Sequence, residues 1–118
     1  MKDSVFSDNY QTINYRDLKP YFEKALEARQ VFNKLPAENS LIALDLIFMI
    51  TISHITKEKL TVKSLWSNLA GSNTGIRFQF NKLIDGGWIV TSTHEGDARA
   101  KLVSPTPKLL NLLASLLL

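Results

Sequence analysis

The chain has 118 residues, no cysteine and a formal net charge of +3. That length sets the expectation of one domain with a single core and little surplus. Disulfide and thiol chemistry are excluded. The two histidines, His54 and His94, stand forty residues apart with no carboxylates clustered around either, so no metal site and no cofactor are expected.

The charge is unevenly spread. Residues 1–60 carry eight basic and eight acidic side chains, and residues 61–118 carry six basic and three acidic. The excess therefore lies in the second half, a weak pointer to a polyanionic partner. The N-terminus, "MKDSVFSDNYQ", lacks the apolar stretch of a secretory signal. The most apolar run, "LIALDLIFMITISHI", is broken by Asp45 and falls short of the ~20 residues that span a bilayer. It reads as a core helix. A cysteine-free chain without membrane segments sets the expectation of a cytoplasmic protein.

In chain order, residues 1–14 are expected to form a loosely held arm. Leu18, Phe22, Ala25, Leu26 and Phe32 repeat at helical spacing over 15–34, with Pro20 in the first turn, where its missing N–H costs least. "LPAENS" breaks that pattern, and Asn39 or Ser40 can cap a helix over about 41–56. "KEKL" reads as a short polar connection. Thr61 can cap a short helix with Val62, Leu65, Trp66 and Leu69 on one face. Gly71 suits the turn that follows, and Ser72 or Asn73 can cap a helix whose inward face is Ile76, Phe80, Leu83 and Ile84. Gly86 and Gly87 are expected to provide a left-handed cap and a tight exit.

The period then changes. "WIVTST" and "AKLVS" are β-prone runs joined through "HEGDAR", with Gly96 at the turn, which predicts a hairpin. Pro105 and Pro107 stop the second strand. "KLLNLLASLLL" closes the chain as a helix with seven leucines in its last ten residues. A helix apolar around most of its circumference needs cover on several sides, from its own core or from another chain. The expected class is mainly α with a small β-hairpin. Two short helices joined by a glycine-containing turn form a helix-turn-helix, and the hairpin after them makes it winged.

The stretch "LTVKSLWSNLAGSNTGIRFQFNKLIDGGWI" resembles the winged helix-turn-helix of the MarR-type transcriptional regulators. "DARAKLVSPTPK" is similar to that family's wing, with Asp97 and Arg99 at its Asp-x-Arg positions. The likeness covers roughly residues 41–108. It implies a single winged-helix domain over 15–118, with a core of about 41–104 and dimerisation helices over about 15–34 and 107–118. It also implies a homodimer with two-fold symmetry, and a small-molecule effector of unidentified chemistry between the dimerisation helices and the DNA-binding lobe, near Tyr21, Phe22 and Phe48. Three features depart from the family's usual pattern: Phe78 replaces a polar or basic residue, only Arg77 and Lys82 are basic in the recognition helix, and the C-terminal helix is short.

In double-stranded DNA such a helix enters the major groove. Arg77 suits the O6/N7 edge of guanine, Asn73 and Asn81 suit adenine or phosphate, and Phe78 suits a thymine methyl. Thr74 shares their face. Lys63 and Lys82 are candidate phosphate contacts, and Lys101 on the wing joins the candidate DNA-binding residues. Arg99 would sit in or beside the minor groove, which attracts arginine where it is narrow, with Asp97 holding the guanidinium extended. The alternative is a winged-helix protein-interaction module without DNA binding, favoured by Phe78 and the weakly basic helix. An enzyme is not expected: no histidine adjoins a candidate nucleophile, and "AGSNTG" lacks the lysine and spacing of a phosphate loop.

Overall fold

The computed structural model describes residues 14–118. The expected N-terminal arm, residues 1–14, lies outside the described residues except for Asn14. The chain divides into two compact units, one ending at Gln30 and one running Val31–Leu118.

In the first unit the Asn14 side chain accepts the Arg16 N–H at 3.0 Å and starts a 3-10 turn, Tyr15–Leu18. It leads directly into α1, Lys19–Phe32, with Pro20 second in the helix. The expected helix over 15–34 is thus tighter at its start and shorter at its end. No residue of either element is buried, and Tyr21, Phe22 and Leu26 are exposed.

The second unit is built on α2, Leu41–Ile55. The Ser40 side chain accepts the Ala43 N–H at 3.1 Å and fixes where the helix begins. Ala43, Leu46, Ile47 and Ile50 fall at i, i+3, i+4 and i+7 and are all buried. Asp45 is on the exposed side of the same helix. Each fully buried leucine or isoleucine here contributes ~1.5–3 kcal/mol over its exposed state.

Two short helices pack on this one. Thr61 caps α3, Val62–Ser67, and Ser72 caps α4, Asn73–Asp85, each accepting an N–H three residues on. Leu65 of α3 and Ile76, Phe80 and Leu83 of α4 close the core against α2. Trp66 meets Phe80 edge-on, with ring centroids 4.9 Å apart. The exit of α4 differs in detail from the sequence expectation. Gly86 keeps a right-handed φ of −78°, and Gly87 alone is left-handed at +76°.

β1, Ile89–His94, and β2, Asp97–Pro105, pair antiparallel from Ile89–Pro105 to Thr93–Lys101. The "KEKL" connection is more than a linker. Thr61 forms a bridge with Leu102, and the Val103 N–H donates to the Leu60 carbonyl at 2.9 Å, so this segment adds a third edge to the hairpin. α5, Pro107–Leu117, follows at once, capped by Thr106 with Pro107 as its first residue.

Candidate nucleic-acid interface

At the turn of the helix-turn-helix the backbone lies close to Ile42 of α2. Gly71 has φ of +123°, which L side chains rarely adopt, and a Cβ there would lie 3.1 Å from Ile42 Cδ1. A Cβ on Gly75 would lie 3.4 Å from the same atom and 3.2 Å from the capping Ser72 hydroxyl. Both glycines let the start of α4 sit close against Ile42 of α2. The helix-propensity cost of Gly75, about 1 kcal/mol relative to alanine, accompanies that close approach.

With Ile76, Phe80 and Leu83 fixed inward, the opposite face of α4 is open. Asn73, Thr74, Arg77, Phe78 and Asn81 are all exposed on it at i, i+4 spacing. Phe78 is a large apolar ring at 58 % exposure. Lys63 is exposed on α3. Lys82 lies in a different setting. Its ammonium forms an ion pair with Glu38 of the α1–α2 loop and lies 5.5 Å from the centroid of the Phe78 ring. Nothing in the sequence signals this pair, since its members are forty-four residues apart. Among the described residues, Arg77 is then the unpaired cation of α4.

The hairpin tip is a two-residue turn, Glu95–Gly96. His94 Nδ1 accepts the Gly96 N–H at 2.9 Å and stabilises it. His94 pairs with Asp97 while Thr93 pairs with Lys101, so Ala98, Arg99 and Ala100 form a bulge on β2 without partners opposite. Bulges re-aim side chains, and this one carries Arg99 out to solvent. Asp97 makes a backbone contact that the sequence does not signal. Its Oδ1 accepts the backbone N–H of Arg99 at 2.9 Å, and among the described residues no ion pair joins the two side chains. A carboxylate two residues away on the chain reaches the i+2 amide more easily than the far end of a long guanidinium. Asp97 therefore shapes the bulge that carries Arg99 and leaves the guanidinium free. Lys101 is exposed at the base of the bulge.

α5 is joined to the exit of α4. The Thr106 hydroxyl donates to the Gly87 carbonyl at 2.6 Å and lies 3.1 Å from the Trp88 carbonyl, while its oxygen accepts the Leu109 N–H at 3.4 Å. Lys108 Nζ donates to the Gly86 carbonyl at 2.8 Å and sits 4.1 Å from the centroid of the Trp88 ring. Between α2 and α5 lies an apolar groove of about 500 Å³, walled by Phe32, Phe48, Ile52, Leu110, Leu113 and Leu117. Phe32 and Phe48 pack at 4.8 Å. The buried Thr51 hydroxyl in the groove has no hydrogen-bond partner among the described residues.

No protein-family model and no curated protein matches the chain. Solved structures do. A MarR-like transcription regulator from Bacillus cereus ATCC 10987 aligns over 97% of this chain and 75% of its own, with TM-score 0.55 and 17% identity. MepR of S. aureus, solved as a DNA complex, aligns over 86% and 79% with TM-score 0.59 and 13% identity. The fold is that of the MarR-type winged-helix regulators. A MarR variant from E. coli, solved with operator DNA, aligns over 98% and 76% with TM-score 0.52 and 16% identity. In the terms of that fold α4 is the recognition helix, the β1–β2 hairpin is the wing, and α5 follows directly from the wing.

Proposed function

We propose that this chain is a sequence-specific, double-stranded DNA-binding transcriptional regulator that acts in the cytoplasm as a homodimer. The recognition helix α4 enters the major groove and Arg99 of the wing lies at the minor groove. The observation that carries this reading is the pairing of an uncovered polar face, Asn73, Thr74, Arg77 and Asn81, with a bulged wing that offers Arg99 to solvent. The fold supports it, since two structures that share it are complexes with DNA. Arg77 reads a base edge, Asn73 and Asn81 read adenine or hold phosphate, and Phe78 packs on a thymine methyl. Lys63 and Lys101 contact phosphates.

The homodimer reading rests on apolar surface. Tyr21, Phe22 and Leu26 on the first unit, and Leu117 and Leu118 at the end of α5, are exposed large hydrophobics. A second copy would cover them. The groove beside Phe48, with its unpartnered Thr51 hydroxyl, is the candidate seat of a small-molecule effector. The described residues include no helix long and apolar enough to cross a membrane, and the reading assigns the chain no catalytic step.

Selection of bound duplexes from a random pool tests the whole reading. The expected product is a palindrome with half-site centres about one helical turn apart, bound with a steep loss of affinity as salt rises. Absence of any duplex binding at low salt overturns it. That outcome would favour the second reading, a winged-helix protein-interaction module, which the exposed Phe78 ring and the paired Lys82 would suit.

A further inference from the structure

We propose that Glu38 governs the DNA affinity of the recognition helix by occupying Lys82, an inference that rests on the DNA-binding reading above. In the free protein the Lys82 ammonium is already taken. The Glu38 carboxylate pairs with it, and the Phe78 ring lies 5.5 Å away. A phosphate that approaches this lysine competes with the carboxylate for the ammonium and is repelled by its negative charge. The pair contributes no net charge to the face of α4.

The position of Glu38 is built into the loop. Glu38 and Asn39 are consecutive non-glycine residues with left-handed φ, +49° and +64°. Such residues persist where the surroundings over-determine them, and here the surroundings are on both sides. Leu35 and Ala37 are buried at 5 % and 3 % exposure and pin the loop to the core. The Ala37 N–H donates to the Leu35 carbonyl at 2.7 Å and the Ser40 N–H to the Ala37 carbonyl at 2.8 Å. Ser40 is in turn committed to capping α2. The backbone that carries Glu38 is therefore fixed from residue 35 to residue 40, and its carboxylate lands on Lys82. The pair is partly open to solvent, with Lys82 at 38 % and Glu38 at 72 % side-chain exposure. An exposed pair of this kind is worth about 0–1 kcal/mol, an amount that a phosphate contact can offset.

The consequence is specific. Glu38 acts through one lysine, and removing its charge converts Lys82 from a neutralised residue into a phosphate contact. The test is a double-mutant cycle on the full chain, with a fixed duplex and salt varied from low to physiological. Glu38→Gln is expected to tighten binding by up to about fivefold per engaged protomer at low salt. It should steepen the log–log salt slope by about 0.9 per new phosphate contact. Lys82→Gln alone leaves the Glu38 carboxylate without its counter-charge and is expected to weaken binding by up to about fivefold, with little change in slope. In the Glu38→Gln background it is expected to abolish both gains. Circular dichroism of each variant verifies folding, and Glu38→Gln keeps the size of an exposed side chain.

Equal binding and slope for wild type and Glu38→Gln overturn this inference while leaving the DNA-binding reading intact. So does a gain that survives Lys82→Gln, because Glu38 would then act by general repulsion. If neither wild type nor Glu38→Gln binds duplex at low salt, both the inference and the reading beneath it fall.

Discussion

Asp97 and Arg99 show how a short motif divides its labour. The carboxylate takes the backbone N–H of Arg99, and the guanidinium is left to solvent in a three-residue bulge. Among the described residues the Arg99 guanidinium forms no ion pair, and its truncation should separate binding from stability. Arg99→Ala is expected to leave the urea midpoint within the usual range of surface substitutions, about 0.5 kcal/mol. It should weaken binding to every duplex by a similar factor, since a minor-groove arginine reads width more than base identity. A gel-shift titration with several unrelated duplexes checks this, and unchanged affinity removes Arg99 from the interface. Asp97→Ala acts differently. It frees the Arg99 amide and loosens the bulge, so its effect on binding should be partial and should follow the order of the wing.

Among the elements, boundaries were the most legible feature of the sequence and long-range partners the least. Thr61, Ser40 and Ser72 could be read as caps because a hydroxyl three residues before a free N–H is a local device. The inward face of α4 followed from its period, and Ile76, Phe80 and Leu83 are buried as that period requires. Of the candidate site, periodicity identified an outer face of α4: Asn73, Thr74, Arg77, Phe78 and Asn81 are exposed on it, while Lys82, expected there too, is half-buried and paired with Glu38. The bridge from Thr61 to Leu102 was not legible, because a single bridge in a lysine-rich connection has no alternation to detect. The Glu38–Lys82 pair was hidden for a different reason, since no local rule connects a loop residue to a lysine on a distant helix. The joint at Thr106 combines both kinds of information. Its capping role is local, and its bonds to Gly87 and Trp88 are long-range. Thr106→Ala removes a cap worth ~0.5–2 kcal/mol and a hydrogen bond worth ~0.5–1.5 kcal/mol. It is expected to destabilise the protein by about 1–3 kcal/mol in urea unfolding at fixed protein concentration. Thr106→Ser keeps the hydroxyl and should recover most of the loss. Equal losses in the two variants would show that the hydroxyl is not what joins α5 to the exit of α4.

For the whole molecule, the deciding quantity is the apolar surface that the described chain leaves uncovered. α5 buries Leu109 completely and leaves Leu110, Leu112, Leu113 and Leu116 only partly covered, with Leu117 at 56 % exposure and Leu118 fully open. Tyr21 and Phe22 on the first unit are exposed at 73 % and 64 %. Monomeric proteins rarely leave apolar patches of more than a few hundred Å² in water, and covering such surface is worth roughly 25 cal/mol per Å². In the proposed homodimer a second copy of the chain would provide that cover without a new partner, and a two-fold axis would also match a palindromic site. Light scattering after size exclusion is therefore expected to give twice the chain mass at micromolar concentration. Leu117→Glu tests the element responsible. Leu117 contributes little to the buried core of its own chain, so the variant should stay folded by circular dichroism while shifting toward monomer. Its affinity for a two-half-site duplex should fall far more than its affinity for a single half-site, because only the former depends on both protomers acting together. A wild-type monomer at micromolar concentration would remove the dimer from the proposal. A Leu117→Glu variant that remains a dimer would move the interface away from the end of α5.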